Sequence, residues 1–178
     1  MDSNNFASNL YFDPTFNKIA IVASRFNQGV TDAMVKGAME SLMDAGKLKV
    51  SDNEDSKEYI NSILTKANKE GLAGFGKGLV DDAGQVLKNS FATIYRVAGS
   101  VEIPLVCKTL LDQEVLENIE GIDEDVYFPK YDAVVTLGAI IKGDTPHFDY
   151  VCSIVSQGVS ELSLEYGRPV SFGVITTN

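Results

Sequence analysis

The stretch Tyr131-Asp132-Ala133-Val134-Val135-Thr136-Leu137-Gly138-Ala139-Ile140-Ile141 is an almost unbroken apolar run rich in β-branched residues, and it is followed at once by Lys142-Gly143-Asp144-Thr145-Pro146-His147-Phe148-Asp149-Tyr150. A run of that kind with no polar alternation predicts a strand buried on both faces, the type that sits inside a parallel sheet. The glycine, aspartate and proline that follow predict a short loop, and apolar residues at helical spacing then continue to about Tyr166. Gly167-Arg168-Pro169 reads as a turn and Val170 to Ile175 as a further strand.

Working back toward the N-terminus, the same unit recurs. Lys18 to Ala23 is a short apolar run, Ser24-Arg25-Phe26-Asn27 is a loop, and Val30 to Gly46 places Met34, Val35, Ala38, Leu42 and Ala45 at helical spacing. Phe91 to Val97 reads as a strand, and a helix is expected from about Ile103 to Asn118, with Pro104 in its first turn where a missing N–H costs nothing. Strands alternating with helices predict an α/β fold: a parallel sheet with helices on both faces and right-handed crossovers. The chain reads as a single domain over residues 1–178 with an insertion at 47–90. That segment is far longer than an ordinary helix-to-strand connection. Its apolar residues form two helical stripes, Ile60, Ile63, Leu64 and Ala67, then Phe75, Leu79, Val80, Ala83, Val86 and Leu87, so an inserted helical hairpin broken near Gly71 is expected.

Composition narrows the function classes. The chain has 178 residues, 44% of them hydrophobic, enough for one core without staples. A net charge of −10 argues against a nucleic-acid partner, which needs clustered Lys and Arg. Cys107 and Cys152 lie in apolar stretches and read as reduced thiols, with no Cys/His spacing for a metal. Met1 to Phe12 lacks the basic flank and apolar core of a targeting segment, and no run approaches the roughly 20 apolar residues of a membrane span, so a cytoplasmic protein is expected. Gly71 to Gly78 nearly matches a phosphate-binding loop. However, Gly78 replaces the hydroxyl that would hold Mg²⁺, and the preceding pattern is a helix, not a strand.

In a parallel sheet the loops after the strands emerge on one edge, which gathers Phe26, the Ala98 to Pro104 segment and the Lys142 to Asp149 segment. Phe26 offers a ring for stacking. Ser100 and Glu102 offer polar groups to the edge of a bound ring, and Gly143-Asp144-Thr145 at a helix start suits a phosphate. His147, the single histidine, is close enough in sequence to that loop for proton transfer.

Taken together, S-R-F-N at 24–27, V-A-G-S-V-E-I-P at 97–104, T-L-G-A-I-I-K-G-D-T-P-H-F-D-Y-V at 136–151 and P-V-S-F-G-V-I-T-T at 169–177 closely resemble the 6,7-dimethyl-8-ribityllumazine synthases of riboflavin biosynthesis. The resemblance implies a flavodoxin-like three-layer sandwich around a four-stranded parallel sheet. It also implies pentamers, alone or built into icosahedral shells, with active sites between subunits. By position, it implies that Phe26 stacks on the pyrimidine of 5-amino-6-(D-ribitylamino)uracil. Ser100, Val101 and Glu102 would hold the ribityl chain, and the backbone of Ala139, Ile140 and Ile141 would meet the ring edge. Asp144 and Thr145 would contact 3,4-dihydroxy-2-butanone 4-phosphate, His147 would transfer protons, and Phe172 would come from the adjacent subunit. No cofactor is implied.

Ala98 stands where the resemblance has proline. The resemblance also implies two further helices beyond Asn178, with an arginine on the substrate phosphate. Without them, phosphate binding is expected to weaken by about 1.5–3 kcal/mol for each hydrogen bond to a charged group. A catalytically weak subunit that forms shells or binds lumazines or flavins is therefore the alternative to an active enzyme. A further expectation is that the insertion covers the sheet face those helices would occupy, with Thr65 to Gly71 resembling the turn between them and Ser62 in place of the arginine. A flavodoxin-like redox protein is disfavoured because Ser24 to Gly29 lacks a hydroxyl-rich phosphate loop.

Overall fold

A computed structural model describes residues 14, 17–50, 55–81, 83–117 and 126–177. The expectations for Met1 to Phe12, for Asn118 and for whatever follows Asn178 concern positions outside those residues. The described chain forms β1 (Ile19–Ser24), α1 (Gln28–Ala45), β2 (Lys49–Val50), α2 (Ser56–Glu70), β3 (Leu72–Phe75), β4 (Leu79–Val80) and β5 (Ala92–Val97). A 3-10 turn (Ser100–Glu102) then leads into α3 (Ile103–Leu111), β6 (Glu114–Glu117), β7 (Val126–Pro129), β8 (Ala133–Ile141), α4 (His147–Tyr166) and β9 (Val170–Thr177).

The main sheet has the order β3-β5-β1-β8-β9. β5, β1, β8 and β9 run parallel, as expected, and β3 adds an antiparallel edge strand against β5. All six residues of β1 are buried because the strand feeds two cores at once. Ile19, Ile21 and Ala23 point to one face, where α1 supplies Val35, Met39 and Met43. Ala20 and Val22 point to the other, where α3 and α4 supply Ile103, Cys107, Leu111, Val155 and Val159. A continuous apolar run is what such a two-faced strand needs.

The insertion is where sequence periodicity misleads. Its first half is the expected helix: α2 is capped by the Asp55 side chain on the Lys57 N–H at 3.0 Å, ends at Gly71 in the left-handed region (φ 87°), and buries Ile60, Leu64 and Ala67. Its second half is not a helix, so the expected hairpin of two helices is corrected to one helix followed by short strands. β3 joins the main sheet, and β4 pairs antiparallel with β2. Gly76 shows why: its φ is +114°, and a Cβ there would lie 2.4 Å from the Phe91 ring, so the chain must turn sharply against that ring. Apolar residues spaced at helical intervals then serve as core contacts from extended backbone, Phe75, Leu79 and Leu87 among them.

α2 packs on the sheet face it shares with α1, within the same core cluster as Ile94 and Met39. Cover from the insertion thus reaches β3 and β5. At the far edge, Ile175 on that face of β9 remains about half exposed, as does Phe172 on the opposite face.

The helix expected to run to Asn118 is also corrected. α3 stops at Leu111, where its buried stripe of Ile103, Cys107, Leu110 and Leu111 ends, and Glu114 to Glu117 turns into an antiparallel pair with Val126 to Pro129. Among the described residues, no helix is long and apolar enough to cross a membrane.

Candidate active site

The loops after β1, β5 and β8 meet above the sheet around a cavity of about 440 Å³. Each wall has a local cause. After β1 the backbone is pinned to the neighbouring loop, with the Arg25 N–H on the Val97 carbonyl at 2.7 Å and the Phe26 N–H on the Ala98 carbonyl at 3.1 Å. Asn27 then adopts a left-handed conformation (φ 55°) and caps α1 with its carbonyl, which accepts from the Val30 and Thr31 N–H groups. That reversal leaves the Phe26 ring 57% exposed on the cavity wall, so it is not a core residue.

After β5, Gly99 is extended and its N–H donates to Glu102 Oε2 at 2.7 Å, which folds the loop into the 3-10 turn. One carboxylate oxygen of Glu102 is thereby committed to the loop. Ser100 is only 6% exposed, and its Oγ has no partner among the described residues. A Cβ at position 138 would come within 2.7 Å of that Oγ, so Gly138 on β8 leaves the room the hydroxyl occupies. An unpaired hydroxyl at a cavity wall costs stability unless something binds it.

After β8, Ala139 and Ile140 are buried while Ile141 is half exposed, and all three line the cavity. Lys142 donates its N–H to the Thr177 carbonyl at 2.8 Å, anchoring the loop to β9. α4 begins at His147 itself, with Pro146 in the cap position; the Pro146 carbonyl accepts from the Asp149 N–H at 3.1 Å, and no side chain caps the amides of His147 and Phe148. Thr145, His147, Phe148 and Val151 complete the wall, and the imidazole is exposed.

Phe26, Ser100, Val101, Glu102, Ala139, Ile140, Ile141, Thr145 and His147 therefore share one cavity. Two candidates do not. Asp144 is exposed on the loop without lining the cavity, and Phe172 lies on β9, away from it. Phe148 and Val151 line the wall without having been singled out by the sequence; their three-residue spacing in the first turns of α4, beside His147, is the signal that marks them. A larger cavity of about 550 Å³ lies at the other end of α1, between Glu40, Asp44, Lys47, Lys49, Asp55 and Lys57. Met43, Leu48 and Ile60 line it beside these mixed charges, and it gathers none of the loop chemistry. Among the described residues, no group of three or more His, Cys, Asp or Glu is placed to hold a metal.

A family model described as 6,7-dimethyl-8-ribityllumazine synthase matches residues 63–178, from the middle of α2 through β9. A protein of that name from Desulfosudis oleivorans is 32% identical over 159 residues, covering 89% of this chain and 66% of the relative. One from Lawsonia intracellularis, also so named, is 32% identical over 168 residues, covering 94% of this chain and 72% of the relative. The chain thus spans just under two thirds of the first relative's length.

Proposed function

The chain belongs to the 6,7-dimethyl-8-ribityllumazine synthase family, transferases of riboflavin biosynthesis, and we propose that it condenses 5-amino-6-(D-ribitylamino)uracil with 3,4-dihydroxy-2-butanone 4-phosphate. The observation that carries this reading is the single cavity in which an exposed Phe26 ring, an unpaired Ser100 hydroxyl and the His147 imidazole converge.

In this reading Phe26 stacks on the pyrimidine, and Ser100, Val101 and Glu102 hold the ribityl chain. The backbone of Ala139, Ile140 and Ile141 reads the ring edge. Thr145 and the uncapped start of α4 receive the phosphorylated ketone, with Asp144 on the same loop. The 5-amino nitrogen adds to the ketone carbon and water leaves to give an imine. A proton then leaves carbon while phosphate departs with its C–O electron pair, and the ribitylamino nitrogen closes the ring with loss of a second water. His147 supplies and accepts the protons. Orienting the two reactants provides most of the remaining acceleration, since well-aligned partners gain effective molarities of about 10⁵ M or more.

The family acts on small molecules and assembles into oligomers. For this chain we propose a pentamer or a multiple of pentamers, with Phe172 reaching a neighbour's cavity, and a cytoplasmic location. Exposed apolar side chains on the edge strand (Phe172 and Ile175), on α3 (Leu105) and on α4 (Leu164) are available for contact with further copies. The test is product formation from both substrates, alongside the native mass. Turnover that requires both substrates supports the proposal. Binding of lumazine with no turnover overturns it in favour of the shell-forming or flavin-binding subunit.

A further inference from the structure

On the α1 face, directly behind the loop that carries Phe26, lies a polar network that the chemistry just described does not use. Arg96, near the end of β5, has a fully buried side chain whose Nη2 donates to Asp32 Oδ1 at 3.0 Å and to Thr31 Oγ1 at 3.3 Å. The other carboxylate oxygen, Asp32 Oδ2, accepts from Asn68 Nδ2 at 3.1 Å. The Asn68 main-chain carbonyl accepts from Arg25 Nη1 at 2.6 Å, and the Arg96 main-chain N–H reaches the Gly71 carbonyl at 2.7 Å. Four segments are joined in this way: the residue before Phe26, the start of α1, the end of β5 and the last turn of α2 from the insertion.

The network is poorly suited to stability alone. Arg96 Nε and Nη1, Asn68 Oδ1 and Asn27 Nδ2 are buried without a partner among the described residues. Burial and the nearby Arg25 both weaken the hold of Arg96 on its proton, and only Asp32 opposes them. An apolar cluster of similar volume would serve a core as well or better. A charged network does supply fixed register between segments, and here the segment so fixed carries the stacking ring.

We propose that Arg25 and Asn68 are positioning residues, so that the end of α2 clamps the Arg25-Phe26-Asn27 loop and sets the orientation of the Phe26 ring toward the flat substrate. The inserted helix thereby contributes to substrate affinity without touching the cavity. The kinetic part rests on the proposed function; the mechanical part does not.

Arg25→Ala removes the bond to Asn68 and leaves Arg96 with its carboxylate. It should raise KM for the ribitylaminouracil about tenfold, with kcat and KM for the butanone phosphate changed less than about twofold, since a loosened ring misplaces one reactant only. Arg25→Lys, which can still donate one bond, should recover part of the loss. Amide hydrogen exchange gives a readout that needs no turnover: the Phe26 amide should exchange about tenfold faster in Arg25→Ala and more modestly faster in Asn68→Ala, with Ile21 and Ile94 unchanged. Unchanged exchange at Phe26, or acceleration of all three amides together, overturns the clamp. If exchange changes as expected but no product forms in the wild type, the clamp stands and the proposed reaction falls.

Discussion

The two faces of the central sheet are built from the same strands but by different means. On one face α3 and α4 follow their strands in the regular βα order, and the cavity opens at the top of that layer. On the other, α1 shares the layer with α2, β3 and β4 from the insertion, which contribute Ile60, Leu64, Phe75 and Leu79 to the core. The regular face carries most of the cavity wall and the irregular face carries the added segment. Extra chain is easiest to accommodate where it does not obstruct ligand access, and the sheet stands between the insertion and the cavity. On the irregular face, polar bonds from Arg25 and Arg96 tie the insertion and α1 to the loop that carries Phe26.

The sharpest way to break that contrast is to treat the insertion as an appendage and remove its anchor. Phe75 is fully buried, 5.3 Å from the Phe91 ring and 5.8 Å from that of Tyr59. Phe75→Ala should lower unfolding free energy by about 3–5 kcal/mol in urea melts; a loss below about 0.5 kcal/mol, the scale of surface changes, would mean the insertion is not core.

The regular face is tested by chemistry. His147→Gln should reduce kcat by about a hundredfold or more, the usual contribution of a positioned acid/base group. Its thermal midpoint should stay within about 2 °C of wild type, because the side chain is exposed. Unchanged kcat would remove His147 from its role. Phe26→Ala should raise KM for the aromatic substrate between about fivefold and a hundredfold, corresponding to roughly 1–3 kcal/mol of stacking, with steady-state kinetics as the readout.

The smallest effect concerns pH. Burial against the sheet pushes the Cys107 thiol from its ordinary 9.0 up to about 12. A raised folded value means the stabilisation is complete below about pH 9 and is lost as pH rises from there through about 12. Tyr95, partly buried and bonded to Tyr131 at 2.6 Å, is pushed upward as well and acts in the same direction above its ordinary 10.0. Urea midpoints measured at about pH 8 and about pH 10 should therefore fall with pH, and Cys107→Ala should show a shallower fall. An equally steep fall in that variant would assign the loss elsewhere.

The same contrast separates what was legible in the sequence from what was not. β1 and β8 could be read because burial on both faces demands an unbroken apolar run, and the strand-end rule then brought Phe26, Ser100 and His147 to one edge. α2 could be read from its stripe and its Asp55 start. The segment from Phe75 to Leu87 could not, because apolar residues that contact the core from short strands and turns happened to recur at helical intervals; Gly76 against Phe91 was the countersignal. The end of α3 was misread because Val115 and Leu116 prolong an apolar pattern that in the fold belongs to a strand. Arg96, Asp32 and Asn68 carry no period at all. Their partnership depends on tertiary contacts between segments far apart in the chain, and no local pattern announces it.

The antiparallel pairing of β3 with β5 bears on the order of folding events. Phe75 meets Ala92 after a short excursion of chain, whereas Ile19 must find Ala92 across the whole insertion and Ala133 across still more. Closing a short loop costs less entropy and happens sooner. The insertion lengthens the search β1 must make, yet it also supplies a local seed, β3 on β5 beneath α2, onto which β1 can later dock. A segment added between two pairing strands would ordinarily slow assembly, and here it brings its own nucleus with it.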